Sequence, residues 1–111
     1  MGLRILFVDD DRGTRSALTE LLTEEGHFVD ACKDGAQALV LLRAASYDVL
    51  LTDFIMPGMN GLELVNAAKA LREPLRCIVM TGQKRVLGAP PHLTWLEKPI
   101  DFEQLLTQLA A

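Results

Sequence analysis

Short apolar runs alternate along this chain with apolar stripes of helical period, and that alternation is the feature that most narrows its possible folds. Five runs read as strands, namely Leu3 to Val8, Phe28 to Cys32, Val49 to Asp53, Arg76 to Thr81 and Thr94 to Glu97. Several are rich in β-branched or aromatic residues, the types that suit a pleated, buried surface. Helical stripes lie between and after them: Leu18, Leu21 and Leu22; Ala36, Leu39 and Val40; Leu62 and Val65; and Phe102, Leu105, Leu106 and Leu109. Three helix starts are marked by a capping side chain three residues ahead of an amide or carboxylate, in Asp34 with Gln37, Asn60 with Glu63 and Asp101 with Gln104. Strands apolar on both faces, each followed by a helix, imply a parallel sheet between two helix layers joined by right-handed crossovers. The class is α/β. Gly82 to His92 breaks the rhythm, because Gly88, Pro90 and Pro91 leave room for at most a short helix where alternation calls for a full one.

A chain of 111 residues fits one domain, residues 1–111, with a single core and no room for a separate catalytic or DNA-binding unit. No repeat or linker appears, and no output domain is expected within it. The net charge of −4, without a Lys/Arg stripe, gives no attraction toward nucleic acid or anionic lipid, so neither is an expected partner. Leu3 to Val8 is too short to span a bilayer and Arg4 interrupts it, which points to a cytoplasmic protein. Cys32 and Cys77 lack metal-ligand spacing and read as reduced, mostly buried thiols. His27 and His92 have no further ligands near them in sequence and read as surface or loop residues.

In a doubly wound sheet, ligands bind in the crevice outside the carboxyl ends of the strands. Asp9, Asp10 and Asp11 follow strand one, Asp53 closes strand three, Thr81 closes strand four and Lys98 follows strand five, so all are expected at one rim. Carboxylates about 4 Å apart repel by roughly 4 kcal/mol per pair at an effective dielectric of 20, so the cluster calls for a cation. Hard oxygen donors select Mg²⁺, which keeps several waters and suits a phosphoryl-transfer centre. A carboxylate can itself be the nucleophile, forming an acyl phosphate, while a lysine ammonium and a threonine hydroxyl meet the phosphoryl oxygens.

Over nearly its whole length the sequence resembles the receiver domains of response regulators. The likeness rests on Ile5-Leu6-Phe7-Val8-Asp9-Asp10, Leu51-Thr52-Asp53, Met56-Pro57-Gly58-Met59-Asn60-Gly61, Met80-Thr81-Gly82 and Lys98-Pro99. The resemblance implies a flavodoxin-like, doubly wound parallel sheet of five strands in the order 2-1-3-4-5. It implies that Asp53 accepts a phosphoryl group from a histidine kinase or histidine phosphotransfer protein, so that the chain is a signalling phosphoacceptor and not an enzyme with a separate substrate. Asp10 directly, Asp9 partly through water, Asp53 and the main-chain carbonyl of Ile55 would hold Mg²⁺, or Mn²⁺ in its place, with Asp11 outside the set. Lys98 would contact the phosphoryl group and the Lys98–Pro99 bond would be cis, with Pro99 positioning the lysine.

Phosphorylation adds roughly −1.5 to −2 charges, and the resemblance makes Thr81 the sensor and Trp95 the aromatic that turns inward in response. A static core anchor is the competing role for Trp95. Thr81 and Lys98 stand 17 positions apart, fewer than in typical receivers, and the shortfall falls on the fourth of the family's five helices, expected to be short or missing. In the family that helix belongs to the usual dimer surface, so symmetric dimerisation is in question, and a kinase or output domain covalently attached in the full-length protein becomes an expectation. Two rivals compete with this reading. Asp9-Asp10-Asp11-Arg12-Gly13-Thr14 approaches the nucleophile motif of haloacid-dehalogenase-like phosphatases, which would phosphorylate Asp9 and use Asp11 as acid. A docking module with an intact but unused site is the other.

Overall fold

The computed structural model describes residues 2–82 and 93–111. Strand β1 (Arg4–Val8) is followed by α1 (Arg12–Glu24), β2 (Phe28–Cys32), α2 (Gly35–Ala44), β3 (Val49–Asp53), α3 (Gly61–Leu71), β4 (Arg76–Thr81), β5 (Thr94–Glu97) and α4 (Phe102–Ala110). The five strands are all parallel, in the order β2-β1-β3-β4-β5. This is the flavodoxin-like order that the resemblance implied. The expected short fourth helix and His92 lie outside the described residues, so the four helices here are those of the described chain.

The sheet separates two apolar layers because alternate residues of each central strand point to opposite faces. Leu6, Val8, Leu50, Cys77 and Val79 meet Ala38 and Leu42 of α2 and Leu64, Val65 and Ala68 of α3. Ile5, Phe7, Leu51, Ile78, Met80 and Leu96 meet Leu18 and Leu22 of α1 and Leu105 and Leu109 of α4. Both thiols are free and buried, and burial pushes each up to about 11.

Three expectations need correction. In α2 the buried face is Gly35, Ala38 and Leu42, whereas Ala36 and Val40 face outward, Val40 being 61% exposed. The Asp34 cap, which accepts the Gln37 amide at 2.9 Å, sets the first turn with Gly35 against Met59, and that phase turns Val40 away. In α1 only Leu18 and Leu22 are buried, and Leu21 is 42% exposed. Strand β2 is not apolar on both faces. It lies at the sheet edge, where Phe28 is 68% exposed and only Cys32 is buried.

The caps follow the sequence in part. Asn60 and Glu63 form the full reciprocal box at 2.9 Å in each direction. Asp101 accepts the Glu103 and Gln104 amides, and Gln37 reaches the Lys33 amide instead of its own cap residue.

Candidate phosphoryl-transfer site

Strand register carries the rim residues to one end of the sheet. Val8 pairs with Thr52, Asp53 with Met80 and Thr81 with Glu97, so the residues after β1 and the last residues of β3, β4 and β5 emerge together. One carboxylate oxygen from each of Asp9, Asp10 and Asp53 lies within 4.8 Å of the others. Asp9 and Asp53 are buried and Asp10 is exposed, which leaves the cluster open to solvent on one side.

Lys98 closes the other side. Its Nζ stands 3.0 Å from Asp53 Oδ1 and 3.9 Å from Asp9 Oδ2. The Lys98 amide donates to the Thr81 carbonyl at 2.8 Å, tying the lysine's backbone to the end of β4, and the Lys98–Pro99 bond is cis as expected. Thr81 is buried at the same rim. Trp95 is half-buried and meets the Phe54 ring edge-on, with centroids 5.7 Å apart, so this structure holds it as a packed aromatic. Ile55, two residues after the end of β3, is 60% exposed.

Asp9 is the most constrained carboxylate. Its Oδ1 accepts the Asp11 amide at 2.9 Å, whereas its Oδ2 is buried with no hydrogen-bond partner among the described residues. Burial is the main cause of a carboxyl held above its ordinary range, the Asp11 amide opposes it, and the charge of Asp53 adds to it. Three clustered carboxylates outnumber the single Lys98 ammonium beside them, and the buried Asp9 Oδ2 accepts no hydrogen bond among the described residues, so the donor set fits a hard divalent cation.

Asp11 stands apart from the cluster. Its Oδ2 accepts the Thr14 amide at 2.9 Å and the Thr14 hydroxyl at 2.6 Å, capping α1, and those bonds hold its carboxyl below the usual range. A side chain committed to a cap is not placed as the acid that the phosphatase alternative requires. Arg15 belongs to the site although sequence reasoning passed over it. Its Nη1 donates to the Asp9 carbonyl at 2.8 Å and fastens the first turn of α1 to the rim. Only a pattern of one helical turn between Asp11 and Arg15 could have signalled it.

The family model described as the response regulator receiver domain matches residues 5–110. The chain belongs to the response regulator receiver domain family. It is 34% identical to response regulator MprA of Mycobacterium ulcerans, over 100% of this chain and 50% of that protein. The chain thus spans about half the length of those curated relatives. Sporulation initiation phosphotransferase F of Bacillus subtilis is also 34% identical, over 95% of this chain and 89% of that protein. Among solved structures, the receiver domain of the hybrid histidine kinase CckA is 31% identical with a TM-score of 0.85, covering 96% of this chain and 95% of that one. The response regulator TrrA of Thermotoga maritima, in complex with Mg²⁺-BeF, is 29% identical with a TM-score of 0.88, covering 99% of this receiver domain and 97% of TrrA.

Proposed function

We propose that this receiver domain takes a phosphoryl group onto Asp53 from the phosphohistidine of a histidine kinase or histidine phosphotransfer protein, in the cytoplasm, and passes the change on through Thr81 and Trp95. The observation that carries the reading is the meeting of Asp53 Oδ1 with Lys98 Nζ at 3.0 Å beside a three-carboxylate cluster. An Asp53 carboxylate oxygen attacks phosphorus, the O–P bond forms, the P–N bond to the donor imidazole breaks, and the imidazole nitrogen keeps the electron pair. The Lys98 ammonium neutralises charge gathering on the equatorial oxygens, and the Thr81 hydroxyl donates to one of them. Asp9, Asp10, Asp53 and the main-chain carbonyl of Ile55 would hold Mg²⁺, or Mn²⁺ in its place. Such an ion supplies charge neutralisation between acceptor and phosphoryl oxygens. Pro99 positions Lys98.

On this reading the domain is a phosphoacceptor that catalyses only its own modification. It binds neither nucleic acid nor membrane directly, and its kinase or output partner is a separate or covalently attached domain. The half-length match to MprA supports attachment, and the match across most of the Bacillus phosphotransferase supports independent action. The test is incubation with a small acyl phosphate and Mg²⁺, followed by intact mass and peptide mapping. One acid-stable, base-labile phosphate on Asp53, absent from Asp53→Asn, is expected. A phosphate on Asp9, or none on the wild type, would overturn the reading.

A further inference from the structure

The backbone that carries Asp53 is held by contacts that neither the carboxylate cluster nor Lys98 explains. Thr52, the preceding residue, is fully buried, and its hydroxyl donates to the Asp53 main-chain carbonyl at 2.9 Å. A second approach brings the same hydroxyl 3.8 Å from the Met56 sulfur. The β1–β3 ladder has its last pair at Val8 and Thr52, so this side-chain bond acts where that ladder has ended. Gly61, the first residue of α3, packs closely against the same carbonyl. A Cβ built there would lie 2.6 Å from the Asp53 carbonyl oxygen and 2.9 Å from the Phe54 Cα, both backbone atoms that cannot swing aside. The Phe54 carbonyl accepts the Gly61 amide at 2.7 Å, and the Phe54 amide donates to the Met80 carbonyl at 2.8 Å.

Buried threonine is a costly choice where an apolar side chain would fill the space, because its hydroxyl must find a partner. Its partner here is the acceptor's own peptide. We propose that Thr52 is a positioning residue for Asp53, its hydroxyl and the bare Cα of Gly61 clamping the Asp53 carbonyl so that the carboxylate stands in line for attack. This rests on the assignment of Asp53 as phosphoacceptor. The Thr52 hydroxyl is directed to the Asp53 carbonyl and the Met56 sulfur, so it acts through the backbone of Asp53. A clamp of this kind governs the rate of transfer more than the capture of donor, since in-line placement matters most in the transition state.

The test compares wild type, Thr52→Val and Thr52→Ser under saturating Mg²⁺, with a small acyl phosphate as donor and phosphate on Asp53 counted by mass. Valine keeps the shape and removes the hydroxyl, and serine keeps the hydroxyl and removes the methyl. Loss of one hydrogen bond's worth of placement corresponds to about a tenfold slower maximal rate for Thr52→Val. The donor concentration for half-maximal rate is expected to change less than about twofold, the signature of an effect confined to the transition state. Thr52→Ser is expected to recover most of the rate even though it is the less stable variant, with urea unfolding confirming that both variants are folded. A wild-type rate in Thr52→Val, or equal losses in the valine and serine variants, would overturn the clamp while leaving Asp53 as acceptor. Failure of the wild type to label at all would overturn both.

Discussion

The two rims of the sheet both carry charged side chains but use them differently. At the rim where the strands begin, polar groups close on one another. Asp48 Oδ2 accepts the Arg4 amide at 2.8 Å, His27 Nδ1 accepts the Leu3 amide at 3.1 Å, and Arg76 Nη1 donates to the Leu109 and Ala111 carbonyls at 3.2 and 3.0 Å. At the rim where the strands end, three carboxylates cluster, two of them within 3.9 Å of the Lys98 ammonium, and one Asp9 oxygen is buried without a hydrogen bond among the described residues. The first rim spends its polar groups on joining elements. The second gathers like charges at partly buried positions, which costs stability and, on the proposed function, is relieved by a cation and a phosphoryl group. Concavity does not separate the two rims, since one hollow is lined by Gly2, Arg4, His27 and Phe28 at the closed rim and another by Thr14, Lys98 and Pro99 beside the open one.

Breaking this contrast should have its greatest consequence at Lys98. Removing one charge-bearing donor from a transferring group typically costs about 100-fold in rate, and Lys98→Ala should slow acyl-phosphate labelling of Asp53 by that order. Lys98→Arg should restore only part of it, because a planar fork replaces a point charge.

Asp9→Asn should raise stability near neutral pH when no metal is present. The folded carboxyl is raised, chiefly by burial, so its contribution to stability is fully present below the unfolded pKa of about 3.9 and is lost as pH rises through the folded value. Urea unfolding without metal should therefore show wild type losing ground to Asp9→Asn as pH rises from about 4 toward neutrality. Added Mg²⁺ should reverse the order. A wild type that gains on the variant as pH rises would show that the fold already satisfies Asp9.

The closed rim should behave as ordinary structure. Arg76→Ala and His27→Ala are expected to cost about 1 kcal/mol each in unfolding free energy, with labelling of Asp53 unchanged. Altered labelling would mean that the two rims are coupled. The smallest effects concern the thiols, Cys32 at the last residue of β2 and Cys77 in β4. With both pushed up to about 11, a thiol reagent at pH 8 should modify the native protein slowly and the urea-unfolded protein fast.

Much of this arrangement is legible without coordinates. Alternating strand and helix patterns dictate a parallel sheet, and a parallel sheet gathers its carbonyl-end residues, so Asp9, Asp10, Asp53, Thr81 and Lys98 can be read as a group. Strand order comes from family resemblance, since alternation alone permits several orders. Edge position is a property of the assembled sheet, which is why the apolar look of Phe28 and Val29 misleads. The face of α2 is misjudged because Val40 is apolar, whereas the phase of the helix is set by the Asp34 cap and the close approach of Gly35 to Met59. Arg15 on the Asp9 carbonyl, the Tyr47 hydroxyl on Asp30 at 2.6 Å and Thr52 on the Asp53 carbonyl escape a reading of the sequence, because each depends on where a neighbouring backbone or side chain comes to rest.

The clustered charge at the open rim would be tested head-on by a crystal structure of the protein grown with Mg²⁺ and beryllium fluoride. Beryllium is expected bonded to an Asp53 carboxylate oxygen, with Mg²⁺ shared with Asp9 and Asp10, and with Lys98 Nζ and Thr81 Oγ1 within hydrogen-bond distance of the fluorides. An adduct on Asp9, or an Asp53–Lys98 pair left intact with Mg²⁺ bound elsewhere, would show that the open rim is not built for phosphoryl transfer to Asp53.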